Sequence, residues 1–130
     1  MKNKKQKVIC FDIDNVICTT KGRNYHQAKP KSQVIKTINK LYENGHYIKI
    51  FTARYMGRNK ENQKKAYQAG FKKTYNQLMK WNIKFHILIM GKPTFDICVD
   101  DRAVGFKKNW HKLCFIIFAH PCALPILSCP

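Results

Sequence analysis

Short apolar runs rich in β-branched and aromatic residues alternate along this chain with segments of helical periodicity. Four runs have the length of buried strands: KVICF (7–11), YIKIF (47–51), KFHILIM (84–90) and FDICV (95–99). After the first run, residues 32–45 carry apolar side chains at helical spacing, with Ser32 as the predicted N-cap and Gly45 just past the end. Strands that alternate with helices predict a parallel sheet with right-handed crossovers.

Two further helices are predicted between the second and third strands. They are RNKENQKKAYQAG (58–70), which Gly70 is expected to end, and KTYNQLMKWN (73–82). The predicted fold class is therefore α/β, a Rossmann-like open parallel sheet with helices on both faces. At 130 residues the chain is long enough for one domain with a single core, and we assign that domain to residues 1–112.

The last 18 residues, 113–130, differ in composition from everything before them. They contain no Asp, Glu, Lys or Arg, and they hold three of the six cysteines and three of the five prolines. Three interpretations are open. The tail is a dispensable segment of non-native origin, or LCFIIF (113–118) is a fifth strand, or the tail is an anchoring segment, although its prolines break any long helix.

The net charge of +18 comes mainly from lysine, which supplies 21 of the 25 basic residues and is spread along the whole chain. Two interpretations are open: compositional bias that yields a solvated basic surface, or attraction to phosphate groups. No periodic stripe of aromatic and basic residues is present, so no specific nucleic-acid partner is expected. The sequence does not predict an oligomeric state.

The sequence offers little support for a membrane segment or a zinc site. No apolar stretch reaches 18 residues and the basic start lacks an apolar signal-peptide region, so we predict no membrane span and a cytoplasmic location. The six cysteines form no CxxC pair, which disfavours zinc. Cys10 and Cys98 lie in apolar runs and are predicted to be small core residues.

Acidic residues are scarce in this chain, yet four of the seven directly follow predicted strands. In an open parallel sheet the carboxyl ends of the strands meet at one edge, where ligands bind. Neighbouring carboxylates repel unless a cation lies among them, and Mg²⁺ bound by one or two carboxylates also binds substrate phosphate. The pattern therefore predicts phosphoryl chemistry at an edge formed by the four post-strand segments, Asp12-Ile13-Asp14, Thr52-Ala53-Arg54, Gly91-Lys92-Pro93 and Asp100-Asp101-Arg102.

The segments FDIDNVI, IFTAR, GKP and ICVDDRA resemble motifs I to IV of the haloacid dehalogenase superfamily, in order and after the corresponding strands. A lone DxD is a weak signal, but four motifs in register are specific, and the resemblance covers residues 7–112. The nearest likeness is to small phosphatase-like members without a cap domain that occur among capsular or surface-polysaccharide biosynthesis proteins.

The resemblance implies catalytic roles for four residues. Asp12 is the implied nucleophile that forms an aspartyl-phosphate, and Asp14 the implied general acid that later activates water. Thr52 is implied to hydrogen-bond the phosphoryl group, and Lys92 to neutralise its oxygens and the nucleophile. The second aspartate is carried by the superfamily's phosphatases and not by its dehalogenases, so Asp14 favours a phosphatase.

The resemblance also implies metal and substrate contacts. Asp100 is the implied ligand of Mg²⁺ together with Asp12 and the main-chain carbonyl of Asp14, with Asp101 in support. Thr52, Ala53 and Lys92 are the implied phosphate-binding residues. Arg54 and Arg102 lie beside motif residues and are predicted to contact the phosphate or sugar of a small phosphorylated substrate.

One position departs from the motif pattern, since Val16 stands where many relatives have Thr, and no catalytic role depends on it. The motif spacing leaves no room for a large cap domain, so the loop of residues 18–31 is the candidate lid. Its polar residues either contact a substrate or form an ordinary loop; they are Lys21, Arg23, Tyr25 and His26.

The leading interpretation is a Mg²⁺-dependent phosphomonoesterase that acts on a small metabolite such as a sugar phosphate. Two alternatives stay open: a phosphatase that acts on nucleic-acid ends, and a non-catalytic phosphate-binding or nucleic-acid-binding module on the same fold. The intact set of catalytic residues favours an enzyme.

Overall fold

The structure of the chain is a computed structural model that describes residues 5–105 and 109–112. The tail of residues 113–130 lies outside the described residues, so its three interpretations stay open. In chain order the elements are β1 (Val8–Phe11), β2 (Cys18–Thr19), a 3₁₀ turn (Tyr25–Gln27), β3 (Lys29–Pro30), α1 (Ser32–Glu43), β4 (Tyr47–Thr52), a 3₁₀ turn (Gly57–Asn59), α2 (Gln63–Lys80) and β5 (Ile87–Met90).

Three strands form a parallel sheet in the order β1-β4-β5, with β1 and β5 at its two ends. Ile9 pairs with Ile48 in the first ladder, and Ile50 pairs with Leu88 in the second. A separate antiparallel pair, β2 and β3, lies within the loop that follows β1. The predicted α/β arrangement with a parallel sheet is thus confirmed for three of the four expected strands.

The prediction of a fourth strand at residues 95–99 was wrong. This segment has no regular structure, and Ile97 and Val99 are 83% and 96% exposed. Its alternation of apolar residues fits a strand, but β-propensity acts only when neighbouring strands and a covered face are present. The expectation that Cys10 and Cys98 belong to the core was also wrong, because both are exposed.

The hydrophobic core lies between the sheet and the helices. In β4 every second side chain is buried, as expected for a strand with one face on the core. Burying a large aliphatic side chain contributes roughly 1.5–3 kcal/mol, so these contacts fix the strands that carry the site. The core members on β1, α1 and β4 are Ile9, Phe11, Val34, Ile35, Ile38, Leu41, Ile48 and Ile50.

Helix α1 begins and ends where backbone hydrogen bonding dictates. Lys31, without a side-chain cap, is the N-cap and Ser32 is the first helical residue, so the prediction of Ser32 as the cap was wrong. At the other end Gly45 adopts φ +93°, and the N–H of His46 donates to the Leu41 carbonyl at 3.1 Å. This left-handed closure ends the helix at the predicted glycine and leads directly into β4.

Helix α2 is continuous through Gly70, so the prediction of two helices separated at that glycine was wrong. Asn62 caps its start by accepting the N–H of Lys65 at 3.0 Å. Gly70 is buried in mid-helix, and a Cβ built there would overlap the ring of Tyr55. Tyr55 itself has φ +69°, which is rare for a bulky residue. Because Gly70 has no side chain, the ring of the strained Tyr55 can pack directly against helix α2.

Neither long helix has the composition of a membrane span. Helix α2 extends over 18 residues but includes five lysines. Within residues 5–105 and 109–112, no helix combines the length and the apolar character needed to cross a bilayer.

Replacing Gly70 with alanine should destabilise the protein. Helix propensity alone favours Gly70→Ala by roughly 1 kcal/mol, but the new methyl group would overlap the Tyr55 ring. Urea denaturation of Gly70→Ala should therefore give a lower free energy of unfolding than the parent.

The matched experiment repeats this substitution in a Tyr55→Ala background. There the ring is gone, so Gly70→Ala should stabilise the chain relative to Tyr55→Ala alone. A gain in stability in both backgrounds would contradict the packing described here.

Candidate functional site

The ends of β1, β4 and β5 bring together three residues that the sequence places in one site. Asp12 follows β1, Thr52 ends β4, and Lys92 lies two residues beyond β5. The N–H of Lys92 donates to the Thr52 carbonyl at 3.1 Å, which continues the strand pairing past β5. The Lys92 Nζ then lies 3.4 Å from the Asp12 Oδ2. The convergence follows from the parallel order of the strands.

Asp12 is a partly buried carboxylate held between two donors. Its Oδ1 accepts the N–H of Ile13 at 2.8 Å, and its Oδ2 faces Lys92. Burial raises the pKa of Asp12 above its ordinary value, while Lys92 and the Ile13 N–H act in the opposite direction. A carboxylate that has lost part of its hydration is a stronger nucleophile than one in bulk water, and perturbed groups of this kind occur at functional sites.

Asp14 forms a two-point ion pair with Arg54. The Arg54 Nε donates to Oδ2 at 2.9 Å and its NH2 group donates to Oδ1 at 2.8 Å. The Thr20 hydroxyl lies 2.6 Å from the same Oδ1. Arg54 is 2% exposed, so this predicted substrate contact points into the protein and binds the predicted general acid.

The same arginine connects the site to the loop and to α2. Its NH1 group donates to the Gln77 Oε1 at 2.6 Å, and the Gln77 Nε2 donates to the Tyr25 carbonyl at 2.8 Å. The guanidinium carbon also lies 4.8 Å from the centre of the Tyr25 ring. Sequence reasoning missed Gln77, whose only signal is a polar residue next to Leu78 on the buried stripe of α2.

Thr52 is fully buried, and its Oγ1 accepts the N–H of Arg54 at 3.1 Å. This bond fixes the turn after β4 and the direction in which Arg54 leaves the strand. Ala53 is half-buried within this turn, and its carbonyl accepts the N–H of Met56 at 3.0 Å. The loop of residues 18–31 lies against α2 through Tyr25, so this candidate lid is attached to the site by hydrogen bonds.

The residues after the missing fourth strand do not join the site. Asp100, Asp101 and Arg102 are exposed, and the Asp100 Oδ1 accepts the N–H of Arg102 at 2.8 Å in a local turn. Their predicted position at the sheet edge depended on a strand at residues 95–99, which the structure lacks.

The arrangement does not fit the Mg²⁺ site drawn from the sequence. Over residues 5–105 and 109–112, no group of three or more His, Cys, Asp or Glu side chains could hold a metal ion. Asp12 faces Lys92, while the third implied ligand, Asp100, accepts the N–H of Arg102 in a turn of its own.

Comparison with known proteins supports the fold. No family model matches the chain, and no curated protein matches it. A crystal structure of a target protein from Vibrio cholerae is similar, with a TM-score of 0.71 and 23% sequence identity, over 85% of this chain and 97% of that one. At this identity the likeness concerns the α/β architecture.

The Asp14–Arg54 pair should be strongly coupled. Asp14→Ala leaves a buried guanidinium without its partner and should lower the free energy of unfolding by about 3 kcal/mol, the low end for buried pairs because Asp14 keeps some contact with solvent. Arg54→Met should cost less, and the double variant should recover part of the loss. Urea denaturation of the four proteins gives the coupling energy.

The control is the pair Lys84–Glu43, which has the same 2.8 Å separation but is exposed. Its double-mutant cycle should show little coupling, since solvent screens exposed pairs. Equal coupling energies in the two cycles would mean that burial of Arg54 does not strengthen its interaction with Asp14.

Proposed function

We propose that this chain is a phosphomonoesterase of the haloacid dehalogenase type, with the HAD-like Rossmann fold of that superfamily. The observation that carries the proposal is the contact between Asp12 and Lys92 at the carboxyl edge of the sheet, with Thr52 on the strand between them. The sequence motifs contain the same three residues, and their order along the chain matches the sheet order β1-β4-β5 of the strands that they follow or end. The proposed substrate is a small phosphorylated metabolite such as a sugar phosphate, in polysaccharide biosynthesis.

In the first step Asp12 acts as the nucleophile. An Oδ atom attacks phosphorus, a new O–P bond forms, and the P–O bond to the leaving alcohol breaks. Lys92 lies where it offsets charge both on Asp12 and on the phosphoryl oxygens. The leaving oxygen takes a proton from Asp14, two residues further along the chain, and departs as the alcohol.

In the second step water attacks the aspartyl-phosphate. Asp14 accepts the proton from this water, the bond between phosphorus and the Asp12 oxygen breaks, and inorganic phosphate leaves. The Asp12 carboxylate is regenerated beside Lys92. Each step transfers one proton through Asp14, so the residue returns to its starting state after a full cycle.

The ion pair with Arg54 sets a requirement on this cycle. Both oxygens of Asp14 accept hydrogen bonds from Arg54. To act as the acid, Asp14 must first take up a proton from solvent and give up at least one of these contacts, and an incoming phosphate is a competing acceptor for the guanidinium. In the proposed cycle, a phosphate that binds Arg54 releases Asp14. Arg54 therefore acts on the reaction through Asp14.

The nucleophile is tested by substitution. Asp12→Asn should abolish hydrolysis of an aryl phosphate because an amide does not attack phosphorus, while the circular dichroism spectrum stays unchanged. Asp14→Asn should slow turnover by ~10²–10⁴-fold, most strongly for poor leaving groups that need a proton. Asp96→Asn, at an exposed carboxylate outside the site, is the control. Turnover of Asp12→Asn near that of Asp96→Asn would overturn the assignment.

Metal dependence is a separate part of the proposal. The motifs imply Mg²⁺, which would supply charge neutralisation at the phosphoryl group, although the described residues do not gather its ligands. Activity should be lost in EDTA, return with Mg²⁺ and be inhibited by Ca²⁺. Full activity after exhaustive chelation would contradict the metal requirement but not the role of Asp12 as the nucleophile.

The substrate is tested with a panel of phosphorylated metabolites, run beside oligonucleotides that carry 3′- or 5′-phosphates. Preferential hydrolysis of sugar phosphates would support the proposal. Preferential hydrolysis of the oligonucleotides would instead identify a nucleic-acid end as the substrate.

A further inference from the structure

Two adjoining clefts lie between the loop of residues 18–31 and helix α2. The larger has a volume of about 420 Å³ and the smaller about 310 Å³. They share four lining residues, and Arg54, which binds Asp14, also lines the larger one. The shared residues are Tyr25, His26, Tyr55 and Lys73.

The smaller cleft is lined by cations and aromatic rings. Arg23, Arg58 and Lys73 contribute three positive charges, and no carboxylate is among the lining residues of either cleft. Cations brought together without a counter-charge repel each other, so an anion that binds among them relieves that repulsion. Arginine in particular matches the oxygens of a phosphate group.

A residue that lines the larger cleft has a buried hydroxyl without a hydrogen-bond partner among the described residues. Thr74 is 1% exposed and lines this cleft, and its Oγ1 has no hydrogen-bond partner within the described part of the chain. A buried hydroxyl without a partner is uncommon and unfavourable. The neighbouring lining residue Asn76 offers an amide, and Trp81 an aromatic face. These are the features of a site for a ring that carries hydroxyl groups.

The aromatic walls are held in place before any ligand binds. The rings of Tyr25 and Tyr55 lie 5.2 Å apart, and the Arg58 guanidinium lies 4.8 Å from the centre of the Tyr55 ring. Tyr55 has a positive φ, and its ring packs against Gly70. Backbone strain of this kind collects at ligand sites, where it pre-orients side chains.

We propose that these clefts bind a phosphorylated sugar-containing small molecule, with its phosphate among Arg23, Arg58 and Lys73 and its ring beside Thr74. Their volumes fall in the range of small-molecule sites. Neither Asp12 nor Lys92 lines either cleft, so the proposal does not depend on phosphatase activity. Arg54 lines the cleft and also binds Asp14, so occupancy of the cleft can alter the contact of Asp14 with Arg54.

Binding is measured by isothermal titration calorimetry on the full chain, with Asp12→Asn used to prevent turnover. The probes are ribose 5-phosphate and adenosine monophosphate, with inorganic phosphate and ribose as fragments. The phosphorylated probes should bind saturably and more tightly than either fragment. Tighter binding of the nucleotide would identify stacking of a base on the aromatic walls, and equal binding would identify a sugar phosphate; both results support the site.

Two pairs of variants in the same background locate the probe. Lys73→Ala should weaken binding by about tenfold, as for loss of a charged hydrogen bond, whereas Lys72→Ala removes the same charge from the next residue, outside both clefts, and should have little effect. Thr74→Val should weaken binding without lowering Tm, because the hydroxyl has no partner among residues 5–105 and 109–112. Thr37→Val, whose Oγ1 bonds to the Gln33 carbonyl, is its control.

Three results would overturn the proposal. Equal weakening by Lys72→Ala and Lys73→Ala would show general attraction to a basic surface. Loss of binding in Lys92→Ala, with none in Lys73→Ala, would place the probe at the carboxyl edge of the sheet. Absence of saturable binding by both phosphorylated probes would leave the clefts without this role.

Discussion

The buried guanidinium of Arg54 is the constraint on which the site depends. A charge with so little contact with water must find acceptors within the protein, and Arg54 finds them on Asp14 and Gln77. These two residues belong to different elements, so satisfying one side chain fixes the segment after β1 against β4 and α2. Gln77 then extends the network to the Tyr25 carbonyl in the loop. The position of Asp14 in the site thus follows from the hydrogen-bond needs of a single residue.

Sequence reasoning predicted those features that topology alone determines. Asp12, Thr52 and Lys92 converge because each follows a parallel strand, and the ends of parallel strands meet wherever such a sheet forms. The end of α1 at Gly45 was predictable for a similar reason, since a left-handed residue at that position is a local requirement. Neither inference needs knowledge of distant contacts.

The features that sequence reasoning missed depend on contacts between distant parts of the chain. Residues 95–99 have the pattern of a strand, but pairing requires a neighbour that the pattern does not specify. Gly70 has the usual signature of a helix end, yet its function is to admit the Tyr55 ring, which is 15 positions earlier. Arg54 also binds Asp14 and Gln77, partners 40 and 23 residues away that the sequence pattern does not specify.

The position of β1 at one end of the sheet affects how copies of the chain behave toward each other. Among the described residues β1 pairs with β4 alone, and Val8 on its outer side is exposed. An open strand edge is a template for edge-to-edge association, and Lys5 and Lys7, which are exposed next to it, oppose this by like-charge repulsion. Salt shortens the range of that repulsion. We therefore expect the lysines beside β1 to disfavour association of copies of the chain, and to do so less strongly as ionic strength rises.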